Sequence, residues 1–410
     1  MFVAVLILML NVLKIVESDR CMQGKVLVTD AQMRSSLAVI RSLGKKGLEV
    51  TAGEETMFAT GFFSKYCKRR LVYPSPKKSE EEFVNWLLKT LKREDYEVLF
   101  PVADATLGPI VEHEEEISEY TTIALPPRKI FMKAYDKGIT LKIAMKIGVP
   151  CPTTYFIEDL DELKSLSREL EYPVIIKPRI GSGRRGVEVC NSPEELIASY
   201  CKISAEYGKL LIQEYIPHGG EFGVYTLFNF NSEPRALTVQ RRIRSYPVSG
   251  GPSTLRETIK NEKTEEAVEI AFKLLKALGW VGVAMVEFRI DPRDNTPKLM
   301  EINPRFWGSL QLSILAGVDF PYLLYKMLTE GDVEPVLDYK VGVRCRWLLP
   351  GDILWFLSAP NKLKNLPEFL KFRTNYDILS WDDPGPALGF MLATARYLFD
   401  REMWKFVLRR

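Results

Sequence analysis

The chain has 410 residues, 27% of them charged and 46% hydrophobic, with a formal net charge of +3. That length suits two or three domains around separate cores, and so small a charge argues against nucleic acid or an anionic membrane surface as a partner. Two histidines (His113, His218) and six scattered cysteines without a CxxC pair argue against a His-rich zinc site, a Ser-His-Asp hydrolase and a disulfide frame, so the thiols read as reduced and the protein as cytoplasmic.

Residues 1–22 are an apolar extension interrupted by Asn11 and Lys14. It is short for a membrane span of ~20 residues, and it lacks a basic start and a small-residue cleavage site. The working protein is expected to begin near Met22, with the extension an upstream start-site artefact; a weak membrane anchor and an added packing helix are the alternatives. Residues 23–125 alternate strand and helix: "KVLVTD", then "SSLAVIRSLGKKG" with Ser35 or Ser36 near its N-cap and Gly47 past its end, "LEVTAGE", "EEEFVNWLLKTLKRE" and "EVLFPVAD". This alternation predicts a parallel sheet covered by helices, an α/β domain. No GxGxxG follows the first strand, so a dinucleotide site is not supported.

Around Pro126 and Pro127 the chain changes domain. Residues 126–330 read as α+β: "DKGITLKIAMKIGVPCPTTYFI" is a helix closed by Gly148 and leading to a strand. "YPVIIKPRIGSGRRGVEVC" is strand, glycine loop, strand, and "EFGVYTLFNF" and "PRALTVQRRIRSYP" look antiparallel. Residues 331–410 read as a mainly helical extension ending in an amphipathic helix. That helix suits a core element first, an interface or a membrane-surface contact second.

"AMVEFRIDPRDNTPKLMEINPR" places one glutamate in each of two apolar runs around a turn. A hairpin centred on Asp294 sets Val286 opposite Ile302 and Phe288 opposite Met300, all on a core face. Glu287 and Glu301 then oppose each other on the other face, with Arg289 and Asn303 beside them. Opposed carboxylates repel unless something positive lies between them, and Mg²⁺ uses one or two carboxylates plus nucleotide phosphates. The hairpin therefore predicts a Mg²⁺-nucleotide site with Glu287, Glu301 and Asn303 as ligands; a solvated face of ordinary glutamates is the competing reading.

Lys177 leaves a buried strand and is followed by Gly181, Gly183 and Gly186, a loop whose N–H groups can close over phosphates. No GK[ST] opens a helix here, so this is not a P-loop, and a plain glycine-rich turn competes. In "LLIQEYIPHGGEFGV", Gln213 and Glu214 stand where an adenine edge could be met, and Glu221 where ribose hydroxyls could be taken; surface glutamates are the competing reading.

Taken in order, Asp136–Lys137, "VIIKPRIGSGRRG", "IQEYIPHGGEFGV", "VEF" at Val286–Phe288 and "EINPR" at Glu301–Arg305 resemble the ATP-grasp superfamily over roughly Gly24 to Leu328. "EINPRFWGS" is similar to its carbamoyl-phosphate synthase and carboxylate–amine ligase branch. The resemblance implies two α+β subdomains gripping ATP, with Mg²⁺ or Mn²⁺ on Glu287, Glu301 and Asn303. It implies Lys137 and Lys177 on phosphates beneath a loop of Gly181, Ser182, Gly183 and Gly186, with Gln213, Glu214, Tyr215 and Ile216 on adenine and Glu221 on ribose. Arg305 matches the arginine near the transferred phosphate, and Arg241 is the substrate-side candidate ahead of Arg242 and Arg244. The implied reaction is ADP-forming: a small-molecule carboxylate becomes an acyl phosphate and an amine displaces phosphate. Another ATP-grasp chemistry, such as a kinase or a carboxylating enzyme, and a non-catalytic MgATP-binding module are the alternatives. The oligomeric state stays open, dimers being common among similar enzymes, and membrane contact is not expected.

Overall fold

The computed structural model describes residues 24–181, 183, 185–248 and 250–397. The apolar extension, Met22 and Ser182 lie outside the described residues. The first domain is built on β1 (Lys25–Val28), α1 (Arg34–Lys45), β2 (Glu49–Glu54), β3 (Cys67–Val72), α2 (Glu80–Leu91), β4 (Val98–Phe100), α3 (Asp104–Glu112), α4 (Glu114–Ser118) and β5 (Thr122–Ile123). All pairs are parallel in the order β3-β2-β1-β4-β5. β1 after Lys25, and the whole of β4, are apolar and buried because helices cover both sheet faces. The order reverses at β1, so the crevice beyond the carboxyl ends of β1 and β4 is where such a sheet receives ligands. Helix α1 starts two to three residues earlier than an N-cap at Ser35 or Ser36 suggests. Its N-cap is Met33, and Ser36, inside the first turn, donates to the Thr29 carbonyl at 2.9 Å. Gly47 does close it, at φ +88°, where a side chain would be strained.

α5 (Arg128–Tyr135) and α6 (Lys137–Lys146) lead into the next layer, β6 (Thr154–Phe156), α7 (Leu160–Leu166), β7 (Val174–Pro178), β8 (Glu188–Cys190), α8 (Pro193–Tyr207) and β9 (Leu210–Glu214). These strands form an antiparallel sheet in the order β6-β9-β7-β8. Next come β10 (Glu221–Phe228), β11 (Pro234–Ser245), β12 (Ser253–Thr258), α9 (Glu262–Leu278), β13 (Gly282–Asp291) and β14 (Thr296–Asn303). They make most of a seven-stranded sheet. Its far face packs Val224, Val239, Val286 and Phe288 on α5, α6 and α9, while Tyr225, Ala236, Val283 and Trp307 share a core with the first domain.

After α10 (Leu310–Leu315) and α11 (Phe320–Glu330), the extension is less helical than its sequence suggests. β15 (Arg344–Arg346) pairs with β12, and β16 (Asn375–Tyr376) pairs in parallel with β15, extending the large sheet. α12 (Ile353–Ser358) and α13 (Lys362–Phe369) lie between them, and α14 (Gly385–Tyr397) packs on Phe63 of the first domain. Three buried aspartates tie this segment down. Asp352 accepts from Arg244, Thr254 and Arg346. Asp377 accepts from Arg34 and Arg256, and Asp383 accepts from Arg41 and Ser64. Stretches of three residues or fewer carry no periodicity to read, which is why β15 and β16 escape sequence analysis. Among the described residues no helix is long and apolar enough to cross a membrane.

Candidate functional site

The β13–β14 hairpin turns at Asp291–Thr296, where Asn295 takes φ +55° and donates its N–H to the Asp291 carbonyl at 2.8 Å. Asn tolerates that left-handed conformation better than branched residues do. Val286 opposes Ile302 and Glu287 opposes Glu301, but a bulge follows, and Phe288 faces Leu299 rather than Met300. Leu299 is fully buried in the core, whereas Met300 is only partly so. The extra residue lets the strand keep its apolar face down while the two carboxylates stay paired on the other. Asn303 bridges them, its Nδ2 donating to Glu301 at 3.2 Å and Glu287 at 3.4 Å. Burial and the neighbouring Glu301 push the Glu287 carboxyl up to about 7, the result expected of like charges held together.

Three cations converge on this pair. Asp136 caps α6 by accepting from the Gly138 and Ile139 N–H groups and holds Arg179 at 2.7 Å. Lys137 starts the helix, its ammonium between the Gly181 carbonyl at 2.5 Å and Glu301 at 3.4 Å. Lys177 reaches from β7 to donate to the Met300 carbonyl at 3.4 Å; burial lowers it to about 8 against the pull of Glu301. Arg305 donates to Asp104 at 2.7 Å and to the side-chain oxygen Oδ1 of Asn303 at 3.5 Å. Asp104 opens α3 at the first domain's crevice, so the site spans two domains, and no sequence signal links positions so far apart. Gly181, Gly183 and Gly186 all take positive φ. A side chain on Gly186 would strike Pro178 at 2.8 Å, while Gly181 and Gly183 face open space.

Gln213 turns its side chain into the sheet, where it donates to Thr154 at 2.7 Å, so only its backbone is available to a ligand. Glu214 accepts from the Thr153 N–H and from Arg293. Tyr215 is half-buried, and Ile216 is buried with its carbonyl taking Arg289 at 3.0 Å. Glu221 opposes Arg289 in register and binds its guanidinium. Burial would raise this carboxyl, but Arg289 and then Arg242 hold it below the usual range. Arg241 falls on the other face from Glu287. Its guanidinium binds Glu257 at 2.5 Å, and Arg242, one residue on, is the arginine on the site face, 3.5 Å from Glu221. Strand alternation decides this: Gly223 faces both Glu287 and Gln240, so Arg242 shares their side and Arg241 does not.

A model of the family described as ATP-grasp in the biosynthetic pathway with Ter operon matches residues 206–349. A formate-dependent phosphoribosylglycinamide formyltransferase of Wolinella succinogenes is 27% identical over 226 residues, 53% of this chain and 56% of that one. Biotin carboxylase 1 of Bacillus subtilis is 28% identical over 204 residues, 47% of this chain and 44% of that one. Residues 206–349 thus match an ATP-grasp family, and the relatives similar to the chain over about half its length are 27–28% identical to it. A solved biotin carboxylase complex with β,γ-ATP from Campylobacter jejuni has the same ATP-grasp fold, with a TM-score of 0.67 over 78% of this chain and 74% of that one at 19% identity. The chain spans about half the length of the curated ATP-grasp relatives it matches.

Proposed function

We propose that this ATP-grasp chain is an ATP-dependent, ADP-forming ligase that activates a carboxylate as an acyl phosphate for attack by an amine. The observation that carries the reading is the opposed pair Glu287–Glu301, bridged by Asn303 and faced by Lys137, Lys177 and Arg305. Among the described residues no third His, Cys, Asp or Glu completes a metal cage there. Two carboxylates and an amide suit Mg²⁺ or Mn²⁺ arriving with nucleotide phosphates, which supply the remaining oxygens. Glu287, Glu301 and Asn303 would hold the ion, which when bound offsets phosphate charge during transfer.

Lys137 and Lys177 bind phosphate oxygens, and Arg305 faces the phosphoryl group in transit. The Gly181–Gly186 loop covers the phosphates and keeps water from the acyl phosphate. The backbone of Gln213 to Ile216 provides the adenine edge. Glu221, kept ionised by Arg289, takes ribose hydroxyls. A carboxylate oxygen attacks the γ-phosphorus and the bond to ADP breaks. The amine nitrogen then attacks the acyl carbon, the bond to phosphate breaks, and the amine gives up its proton. Positioning and charge do the catalytic work, so no side-chain nucleophile is required. Formate, in the Wolinella relative's name, is a carboxylate, which supports this class of acid. The Bacillus relative's name favours a second reading, a carboxylating enzyme with bicarbonate as the acid.

Release of ADP from MgATP by the full chain, with pooled carboxylates crossed against pooled amines, tests the proposal. ADP that appears only with both pools is expected. ADP with bicarbonate alone moves the assignment to carboxylation, ADP with an acid but no amine and a stable phosphorylated product moves it to a kinase, and ADP without any acid overturns it.

A further inference from the structure

The large sheet carries a second like-charged pair that the proposed reaction does not use. Arg242 of β11 and Arg256 of β12 are cross-strand partners on the face that carries Glu287. Arg242 has Glu221 nearby at 3.5 Å. Arg256 is different. It is 1% exposed, its Nη2 is held by Asp377, and its Nε and Nη1 are buried with no hydrogen-bond partner among the described residues.

Asp377 does not belong to Arg256 alone. Its other oxygen accepts from Arg34 Nη1 at 2.8 Å, and Arg34 is the first residue of α1 in the first domain. The Cys345 thiol, opposite Arg256 in register, also donates to Asp377 at 3.3 Å. Arg34 lies over the Trp347 ring, 3.9 Å from its centre. Two buried guanidiniums thus share one carboxylate. Buried unpaired charge is costly, so a cluster on the site face with guanidinium charge in excess is a place for an incoming anion. Here one positive charge and two guanidinium nitrogens, Nε and Nη1 of Arg256, are left over.

The cluster lies on the working face of the site. The Tyr225 hydroxyl is close enough to sense both Glu287 and Arg256, and it accepts from Ser309 at 3.5 Å. Gly308 brings the chain so near Arg34 that a side chain there would meet its guanidinium at 3.2 Å. Arg34 also opens α1, the helix that follows β1, beside the crevice where the sheet order reverses.

We infer that Arg256 and Arg34 receive an anionic group of the acid co-substrate, a carboxylate or phosphate remote from the carboxylate that is activated. The inference rests on the ligase reading and narrows its acid to one bearing two anionic groups. Asp377, which follows β16 beyond the stretch matched by the family model, is the resident counter-ion that the incoming group joins or displaces. The unpartnered donors are sealed from solvent, so the segment carrying Trp347 and Asp377 has to give way for entry.

Thermal unfolding of the full chain with saturating MgADP tests this, with acetate, succinate or 3-phosphoglycerate added. Succinate or 3-phosphoglycerate is expected to raise the Tm by about 1.5–2 °C at a tenfold excess over its Kd, and acetate to leave it unchanged; the effective acid identifies carboxylate or phosphate. Arg256→Gln is expected to abolish that rise and keep the rise caused by MgADP. Arg34→Gln, less deeply buried, is the second variant should Arg256→Gln fail to fold. A dianion rise that survives in a folded variant overturns the subsite, and so does no rise with either dianion in the unaltered chain. Absence of the MgADP rise in the unaltered chain would instead overturn the nucleotide reading, and a dianion rise lost in Arg34→Gln would still stand as anion binding.

Discussion

The large sheet sets like charges opposite each other at two places, and they are treated differently. At Glu287–Glu301 the pair is half-buried and has cations on three sides, drawn from α6, β7 and the chain after β14. At Arg242–Arg256 the second arginine is fully buried, and its counter-ion comes from the C-terminal segment. Like charges across a ladder destabilise it, so each pair has to be repaired from outside the sheet. In the proposed reaction the carboxylates face a mobile cargo of metal and phosphate. The guanidiniums face a wall that the chain supplies itself. A sheet can therefore present one charge to a ligand at one end and the opposite charge at the other.

The largest effect tests the carboxylate end. Glu301→Gln keeps size and removes one charge; ADP release is expected to fall about 10²-fold or more, with far-UV circular dichroism unchanged. Near-normal turnover would mean that the pair is no metal site. The next comparison separates the two faces of β11. Arg242→Ala is expected to cost roughly tenfold in kcat/KM because it removes a cation from the site side, while Arg241→Ala changes it less than about twofold, its partner Glu257 keeping Arg344 at 2.8 Å. The reverse order would show that the register at Glu221 is wrong. Asp104→Asn is smaller again. It weakens the hold on Arg305 and should lower kcat about threefold to tenfold with little change in KM for ATP. An unchanged kcat would confine Arg305 to one domain.

The mildest test uses a third place where carboxyls meet, Asp30 and Glu54 at the ends of β1 and β2. Burial, with a contribution from Asp30, pushes Glu54 up to about 7. Its folded form holds a proton that the unfolded chain loses near 4.5, so its contribution to stability is full below pH 4.5 and is lost as pH rises to 7. Because Glu54 is partly exposed, about 1–2 kcal/mol is expected. Urea midpoints at pH 5 and 7.5 measure it, and Glu54→Gln should lessen the difference. An unaltered difference would show that other groups carry it.

Much of this was legible in the residues themselves. Strand–helix alternation determined the parallel sheet, because a strand buried on both faces is apolar throughout and a covering helix repeats every 3.6 residues. The turn around Asp294 and the period of two were enough to pair Glu287 with Glu301 and to bring Asn303 alongside. The glycines after Lys177 marked a loop, and the structure adds that all three take positive φ. Other features depend on distances the chain only closes when folded. The bulge that replaces Met300 with Leu299 in the core answers to packing against Phe288 and α9, and strand periodicity cannot register a single inserted residue. The side of β11 on which Arg241 falls follows from pairing with β10. The Arg305–Asp104 contact joins two domains, and the Arg34–Asp377–Arg256 cluster joins the first domain, the sheet and the C-terminal segment. Local sequence sets which residues can face each other within one hairpin, because backbone geometry has a short period. Which charges meet across domains is decided by how the layers stack, and no neighbouring residue carries that information.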